Sequence, residues 1–425
     1  MRIVIRNGHV IDPANNTNEI RDIYISKGHI VSTGNAPDGF NPNREIDATG
    51  KMVCPGLIDL CARFREPGLE HKATIASESA AAAAAGITTV VCPPDTDPII
   101  DTPAVAKLIQ ERAGQAGQTR VLPLGALTRN LEGKQLSEMA ALRDAGCVGV
   151  GNIHAIKDTK IMRHAMEYAS SHGLTVFIRP MDYWLYDNGC AHEGTVSTRL
   201  GLPGIPEAAE TTAVARDLAL VEQIGVRIHF SQLSSARAVQ MIARAKHDGL
   251  PVSADVSAHQ LFLTEMDLLD FDPVYHVQPP LRTQSDRDGL RKGVARGTIR
   301  AICSDHQPHE PDAKLAPFCA TEPGISAMET LLPLTLRLVE EKVLTLSEAI
   351  ACLTIEPARI LGVNSGTLSP GVAADICILD MEKIWQLQKN TMLSRGTNTP
   401  FSQWEFKGKI THTLLAGRVV FELEP

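Results

Sequence analysis

Between residues 55 and 355, short apolar runs typical of strands alternate with segments of helical periodicity. The runs begin near residue 57 and continue at 87–92, 121–127, 148–151, 174–178, 226–230, 252–256 and 299–303. Strands that alternate with helices usually pair in parallel, because each helix carries the chain back across the sheet. Eight such units predict a closed (β/α)8 TIM barrel, so the expected fold class is α/β.

The two flanking segments show the alternating apolar and polar pattern of β-strands instead. Asn7-Gly8 and Lys27-Gly28 stand between such runs, as turns do in hairpins. We therefore divide the chain into an N-terminal β segment (1–54), the barrel (55–355) and a C-terminal β segment (356–425). The N-terminal segment carries no metal-binding or nucleophile pattern, and we interpret it as structural.

Charge and cysteine content narrow the functional classes. The 425 residues carry a formal net charge of −8 and only 4% aromatic residues, which argues against a nucleic-acid binder. No run of 18 uncharged apolar residues is present, so we expect no membrane span. Nine cysteines without a Cys-x-x-Cys pair predict no disulfide framework and a reducing, cytoplasmic location.

Two motifs at strand ends identify a family resemblance. The first barrel strand leads into Phe64-Arg65-Glu66-Pro67-Gly68, and the last leads into Ser304-Asp305-His306-Gln307-Pro308-His309. Both resemble the dihydroorotases of the amidohydrolase superfamily, whose motifs read Phe-Arg-Glu-Pro-Gly and Asp-His-Ala-Pro-His. The resemblance covers nearly the whole chain. It implies a metal hydrolase barrel beside a β-sandwich built jointly from the N- and C-terminal segments.

The resemblance implies that much of the substrate side is retained. Asp305 matches the family's metal-binding general base. Arg65 matches the arginine that holds the substrate carboxylate, His309 a histidine that helps to hold substrate, and Arg282 the arginine of a Pro-Pro-Leu-Arg run. Asp95 stands where the family has a substrate-contacting asparagine, and its carboxylate should repel an anionic dihydroorotate.

The positions of the family's zinc ligands are changed. Cys61 and Arg63 replace the two histidines after the first strand, Arg179 replaces a histidine after the fifth, and Gln232 another after the sixth. Zinc needs about four thiolate, imidazole or carboxylate donors, and arginine cannot be deprotonated in proteins. We therefore expect no zinc cofactor, and we expect Arg63 or Arg179 to form an ion pair with Asp305.

The ligand that the family takes from a middle strand is also missing. Residues 149–154 supply no lysine or aspartate at the strand end, and His154 and Lys157 lie nearby but out of register. Either one remains a possible substitute for that ligand. We expect His229 and His259 to be hydrogen-bonded barrel residues rather than metal ligands.

Three other roles for the site residues stay open at this point. Cys61 could be a nucleophile if Arg63 lowers its pKa. Asp305, His306 and His309 could recruit one metal ion. Arg65, Arg282 and His309 could bind an anion without catalysis. The sequence also leaves open whether the loop 310–323 is ordered.

The resemblance implies a specific function for a member without its metal site. Such pseudo-dihydroorotases are non-catalytic partners of aspartate carbamoyltransferase in pyrimidine biosynthesis, and we expect the same role here, together with a homo-oligomeric state. The competing hypothesis is an active cyclic amidohydrolase that interconverts N-carbamoyl-aspartate and dihydroorotate through an altered metal site. A small-anion sensor is a third hypothesis.

Overall fold

The computed structural model describes residues 1–424, which contain nineteen strands. In chain order they are β1 (Arg2–Asp12), β2 (Thr17–Ser26), β3 (His29–Thr33), β4 (Arg44–Asp47), β5 (Met52–Pro55), β6 (Leu57–Asp59), β7 (Ile87–Cys92), β8 (Arg120–Pro123), β9 (Gly125–Ala126), β10 (Val150–Asn152), β11 (Val176–Ile178), β12 (Ala191–His192), β13 (Gly204–Ile205), β14 (Ile228–Phe230), β15 (Val252–Ser257), β16 (Ala301–Cys303), β17 (Ile376–Gln386), β18 (Glu405–Leu415) and β19 (Arg418–Glu422).

Twelve α-helices lie within the same range. They are α1 (Ile75–Ala84), α2 (Pro103–Ala116), α3 (Met139–Asp144), α4 (Thr159–Ser171), α5 (Tyr183–Tyr186), α6 (Thr195–Leu200), α7 (Ala208–Ile224), α8 (Ala236–His247), α9 (Gln284–Ala295), α10 (Leu331–Glu340), α11 (Leu346–Leu353) and α12 (Ile355–Leu361). In the part of the chain that the structure describes, no helix combines the length and apolar character needed to cross a bilayer.

The parallel strands form a closed barrel, as the sequence predicts. One sheet has the order β6-β7-β8 and another the order β16-β15-β14-β11-β10-β9. The two sheets meet where β8 continues into β9 through Leu124, whose amide donates to the carbonyl of Cys92. The circle closes where Ala62 pairs in parallel with His306, just beyond β6 and β16. Each of the eight predicted runs overlaps a barrel strand.

Apolar side chains fill both faces of the barrel wall, because parallel strands flanked by helices have no solvent-facing side. One buried cluster, which includes Ile58, Leu124 and Phe177, lies inside the barrel. A larger cluster packs the opposite strand faces against the helices. The alanine-rich helix α1 begins at a capping box formed by Thr74 and Ser77, and its small side chains allow close packing.

The N- and C-terminal segments combine in one β unit, which confirms the expected composite architecture. Hydrogen bonds join the strands into one continuous sheet in the order β19-β18-β17-β5-β1-β2-β3, with β4 on β1. The sheet curls so that β3 approaches the segment before β17, where the amide of Ile30 donates to the carbonyl of Val372. Side chains from both ends of the strand order, such as Ile30 and Leu414, share one buried core.

The expectation of no disulfide is wrong at one place. Cys190 and Cys319 form a disulfide between the loop after β11 and the loop 310–323, with their Cα atoms 5.4 Å apart. The sequence pattern did not reveal this bond, because the two cysteines are 129 residues apart and belong to no short motif. Cys190 belongs to a cluster of buried apolar side chains that includes Phe318 and Ala191. The cysteine count therefore no longer argues for a reducing compartment.

Gly86 sets how closely the barrel approaches the β sheet. Its φ is +80°, and a Cβ atom there would lie 2.7 Å from Cys377 Sγ and 2.9 Å from Ile410 Cδ1. We predict that Gly86→Ala lowers the free energy of unfolding by about 1–2 kcal/mol through the left-handed backbone and by about 1–3 kcal/mol more through overpacking. Urea denaturation measures both contributions together.

Gly225→Ala is the matched control. Its φ is +72°, but a Cβ atom there has no heavy atom within 4 Å. This variant should lose only the backbone contribution. If both variants lose the same free energy of unfolding, the methyl group added at residue 86 is not overpacked against the sheet.

Candidate functional site

The candidate site lies at the carboxyl ends of the barrel strands, where TIM-barrel proteins place functional groups. Arg63 follows β6, Asp95 follows β7, Arg179 follows β11, Gln232 follows β14 and Asp305 follows β16. Three of these side chains are buried, and Asp95 and Arg179 are partly exposed.

Three backbone positions in this region adopt the left-handed conformation without being glycine. The φ angles are 63° at Arg65, 55° at Gln232 and 48° at Asp305. Such conformations cost of order 1–3 kcal/mol each and concentrate at functional sites, where the surrounding structure holds them. The backbone at the mouth therefore keeps conformations that are typical of functional sites, whichever side chains stand at these positions.

Arg63 joins two carboxylates across the mouth. Its Nε donates to Asp95 Oδ2 at 2.6 Å, and its Nη1 donates to Asp305 Oδ1 at 3.1 Å. The expected ion pair with Asp305 is thus formed by Arg63. Arg179 donates instead to the carbonyl oxygens of Ile153 at 3.0 Å and Gln278 at 3.4 Å.

The two carboxylates respond differently to the shared cation. Burial raises the pKa of Asp95, but the guanidinium groups of Arg63 and Arg65 outweigh this effect and leave that pKa below its ordinary value. Burial also raises the pKa of Asp305, and there Arg63 and Arg179 offset only part of the rise. Arg63 therefore stabilises the ionised form of Asp95 more effectively than that of Asp305.

Cys61 faces Asp305 as a thiol. Its Sγ donates to Asp305 Oδ1 at 3.7 Å, and burial raises the pKa of this thiol well above its ordinary value. The positive charge of Arg63 lowers that pKa only in part. A thiolate is the form that attacks carbonyl carbon or binds zinc, so this environment disfavours both roles for Cys61.

The space left at the mouth is small. A cavity of about 30 Å³ lies between Cys61, Arg63, Arg179 and Gln232. Sites for small organic ligands usually have volumes of roughly 300–1,000 Å³. The side chains as arranged leave room for water but not for a six-membered ring with a carboxylate.

The residues present do not fit the family's zinc site. Among residues 1–424, no group of three or more His, Cys, Asp or Glu side chains is placed to hold a metal ion. Besides Arg63 and Cys61, Asp305 accepts a hydrogen bond from Gln307 Nε2 at 3.1 Å. Its carboxylate is thus surrounded by donors rather than by other ligands.

The three-residue metal site considered from the sequence is not assembled either. The Nε2 atom of His306 lies 2.8 Å from Glu78, and its Nδ1 accepts from the backbone amides of Ala327 and Met328. Both ring nitrogens therefore have partners away from Asp305. His309 contacts a different pair of residues, Arg65 and Lys72.

Arg65 and His309 lie together beside the mouth. Arg65 Nη2 is 3.0 Å from His309 Nε2, and Arg65 Nε donates to the carbonyl of Pro308. Lys72 Nζ contacts the other ring nitrogen of His309 at 3.1 Å. Burial, Arg65 and Lys72 lower the pKa of His309 to about 2, so its ring is neutral. Burial and Arg63 lower the pKa of Arg65 to about 10.

Arg282 belongs to a separate cluster. Its Nε donates to Ser234 Oγ at 2.6 Å, its Nη1 is 3.1 Å from His192 Nδ1, and its Nη2 is 3.6 Å from Glu210. It shares a cavity of about 20 Å³ with Arg179. The structure therefore groups Arg65 with His309 but places Arg282 on the other side of Arg179.

The two histidines expected to be hydrogen-bonded differ. His229 contacts Ser253 Oγ at 2.9 Å and Asp255 Oδ2 at 3.0 Å, as expected. For His259 the expectation is wrong, because neither ring nitrogen has a hydrogen-bond partner within residues 1–424. Burial lowers the pKa of His259 to about 3.

The out-of-register residues serve other contacts. Lys157 Nζ lies 3.6 Å from the ring centre of Tyr183, a cation–π contact at the surface. Partial burial and the charge of Arg179 lower the pKa of His154. In the described structure neither side chain reaches Asp305 by a hydrogen bond or an ion pair.

Sequence reasoning missed two members of the site. Lys72 lies beneath the loop 310–323, where it pairs with Glu322 and Glu310 as well as contacting His309. No motif marks it. Gln307 did have a signal in the sequence, because it stands where the family motif has alanine. This difference supplies the additional donor to Asp305.

Comparisons with known proteins agree with the geometry of the fold. A family model described as dihydro-orotase-like matches residues 50–238, and an amidohydrolase family model matches residues 323–421. A "Dihydroorotase-like protein" of Pseudomonas aeruginosa is 48% identical over 99% of this chain and 100% of its own length. A "Dihydroorotase" of Syntrophotalea carbinolica is 42% identical over 100% of both chains.

Solved structures of similar fold include hydantoinases and dihydropyrimidinases. The L-hydantoinase of Arthrobacter aurescens superposes with a TM-score of 0.88 at 23% identity, covering 99% of this chain and 96% of its own. The dihydropyrimidinase of Brevibacillus agri superposes with a TM-score of 0.85 at 21% identity, covering 99% and 95%. At this level of identity the likeness concerns the fold alone.

We predict that Arg63→Met lowers the free energy of unfolding by about 3–5 kcal/mol, because it leaves two buried carboxylates without their shared cation. The double variant Arg63→Met/Asp305→Asn should recover at least about 1 kcal/mol of this loss. Chemical denaturation of the native protein, both single variants and the double variant provides the cycle. Arg163→Met, which breaks an exposed pair with Glu167, is the control and should cost at most about 0.5 kcal/mol. Strict additivity in the cycle would contradict the assigned contact.

We also predict an acid-sensitive contribution from His259. Its pKa of about 3 in the folded state lies below the unfolded value of 6.5, so the unfolded chain binds the proton first as the pH falls. The stability is complete above pH 6.5 and decreases below it, by about 2 kcal/mol between pH 7.5 and pH 5.0.

Urea titrations at the two pH values test this contribution. In His259→Leu the loss between the two pH values should be smaller by about 2 kcal/mol. His247→Leu replaces an exposed histidine and should keep the native pH dependence. An unchanged pH dependence in His259→Leu would show that His259 is not held neutral by the fold.

Proposed function

This chain belongs to the dihydroorotase family of the amidohydrolase superfamily, and from that premise we propose that it is a non-catalytic member of the family. In this proposal it acts in pyrimidine biosynthesis as a structural partner of aspartate carbamoyltransferase, in the cytoplasm and as a homo-oligomer. The observation that carries the loss of catalysis is the position of Arg63 between Asp95 and Asp305.

Arg63 supports this proposal through the chemistry of water. Hydrolysis of an unactivated cyclic amide needs a nucleophilic hydroxide, and a bound metal lowers the pKa of water to about 7. A guanidinium carries one delocalised charge and offers no empty coordination position for water. The carboxylate of Asp305, which would accept the proton, already accepts hydrogen bonds from Arg63, Cys61 and Gln307.

The shape of the mouth supports the same conclusion. The cavity of about 30 Å³ is roughly a tenth of the smallest common ligand site. Asp95 places a buried carboxylate where the family has an amide, and its lowered pKa keeps it ionised. A substrate with a carboxylate of its own would have to displace Arg63 from this group before it could enter.

The partnership rests on family resemblance. A protein that keeps a whole barrel and sheet without the family's metal ligands has a reason to be retained other than hydrolysis. Association with the enzyme that supplies N-carbamoyl-aspartate, the product of the preceding step, is the role that the resemblance implies. This role is supported by relatives that are named dihydroorotase-like proteins rather than dihydroorotases.

An active cyclic amidohydrolase is the second candidate. It is favoured by one observation, the 42% identity over the full chain with a relative named as a dihydroorotase. Under this candidate Arg63 would leave Asp305 and a metal would enter with a donor set that is not assembled among residues 1–424.

We predict that the purified native protein, incubated with excess zinc, hydrolyses dihydroorotate no faster than a blank. Asp305→Asn should give the same rate, because the native carboxylate is engaged by Arg63. The reverse reaction from N-carbamoyl-aspartate should also be absent. Turnover above the blank that Asp305→Asn abolishes would contradict the proposal and support the second candidate.

The partnership is tested separately with aspartate carbamoyltransferase from the same organism. Size-exclusion chromatography with light scattering should show one complex that contains both chains, and neither protein alone should reach its mass. The same mixture made with Asp305→Asn should assemble unchanged, because the proposed role does not use the site. Separate elution of the two proteins would overturn the structural role.

A further inference from the structure

A basic groove lies at the opposite end of the barrel from the candidate site. It crosses the amino ends of the four neighbouring strands β11, β14, β15 and β16 and has a volume of about 300 Å³. Arg227 and Arg300 enter it from the residues just before β14 and β16, Lys246 from the end of α8, and Arg359 from α12. These four cations and Glu356 define the groove.

The charges of the groove are not balanced. Glu356 is the one carboxylate among its lining residues, and two guanidinium groups share it, Arg300 at 3.1 Å and Arg359 at 2.6 Å. Arg227 donates to the carbonyl of Gly173, and Lys246 donates to two carbonyls at 3.0 and 3.2 Å. Three positive charges thus remain in excess within a chain of net charge −8.

Burial and the neighbouring positive charge lower the pKa of Lys246. This side chain is half-buried, and its pKa is lowered first by burial and then by the charge of Arg300, while Glu356 opposes the shift. An anion placed between Lys246 and Arg300 would attract both cations and so offset the repulsion between them. The groove therefore has an electrostatic reason to accept negative charge.

We propose that this basic groove binds a compact organic phosphate. Guanidinium groups form paired hydrogen bonds with phosphate oxygens, and a lysine ammonium adds a third point of contact. Ile228, Leu250 and other apolar side chains form part of the wall, which suits the organic portion of such a ligand. The volume lies at the lower limit of small-molecule sites, so the ligand is a small phosphate ester rather than a polymer.

The groove is independent of the proposed function. It lies at the end of the barrel that does not carry Asp305, and its cations come from other residues than those of the mouth. A phosphate could bind there whether or not the mouth hydrolyses anything. Failure of one proposal therefore leaves the other untouched.

Pyrophosphate is the probe, because it offers two phosphate groups in a small volume. We expect saturable binding to the full-length native protein by isothermal titration calorimetry in 0.1 M chloride, with phosphorus NMR line broadening as a second measurement. The dissociation constant should increase with chloride concentration, since Arg300 and Arg359 are about half exposed and are screened by salt. Absence of saturable binding by both methods would overturn the proposal.

Two variants with opposite expected effects make the test specific. Arg227→Gln/Lys246→Gln removes two cations and should weaken pyrophosphate binding at least about tenfold. Glu356→Gln removes the competing carboxylate, frees Arg300 and Arg359, and should tighten binding about threefold or more. Equal affinity in all three proteins would also overturn the proposal, because binding would then not involve the groove.

The control variant removes the same amount of charge elsewhere. Lys134→Gln/Arg163→Gln changes two exposed cations, each paired with a nearby glutamate outside the groove. Its affinity for pyrophosphate should equal that of the native protein. A tenfold loss in this control would show that the protein binds phosphate through its net charge rather than through the groove.

Discussion

The two contacts of Arg63 determine the character of the barrel mouth. A closed barrel brings the ends of β6, β7 and β16 together, and it places Asp95 and Asp305 where water is scarce. Two buried carboxylates need a compensating cation, which can be a metal ion or a side chain. Here the cation is covalently part of β6's own extension, so it cannot exchange. Space, charge and hydrogen bonding at the mouth all follow from this arginine, whereas Cys61 remains a thiol because burial outweighs the charge of Arg63.

The scaffold around this arrangement has the geometry of a working site. The left-handed residues Arg65, Gln232 and Asp305 keep strained turns at three strand ends, although among residues 1–424 no group of side chains is placed to hold a metal ion. Fold and chemistry are therefore separable here: the barrel specifies where side chains converge, and the side chains specify what can happen there. Gln307 shows how little is needed, since one amide added to the motif completes the donors around Asp305.

The sequence predicts the features that depend on local periodicity or on a motif at a strand end. The eight barrel strands and the ion pair between Arg63 and Asp305 are of this kind. It does not predict contacts that depend on the path of long loops. The bond between Cys190 and Cys319 joins residues with no shared motif, and Arg282 turns toward Ser234 and Glu210 because its loop carries it there. His259 could not be foreseen as unpaired, because burial without a partner leaves no trace in the neighbouring residues.

The composite sheet also imposes an order on synthesis. β5 pairs with β17 through residues 52–55 and 376–379, so one edge of the N-terminal sheet stays open until the ribosome has added more than 300 residues. At elongation rates of about 5–20 residues per second this delay is on the order of tens of seconds. An apolar strand edge exposed for that time is a template for unwanted pairing with other nascent chains. Completion of the β unit is therefore a late event in synthesis, which becomes possible only after all the barrel strands have been made.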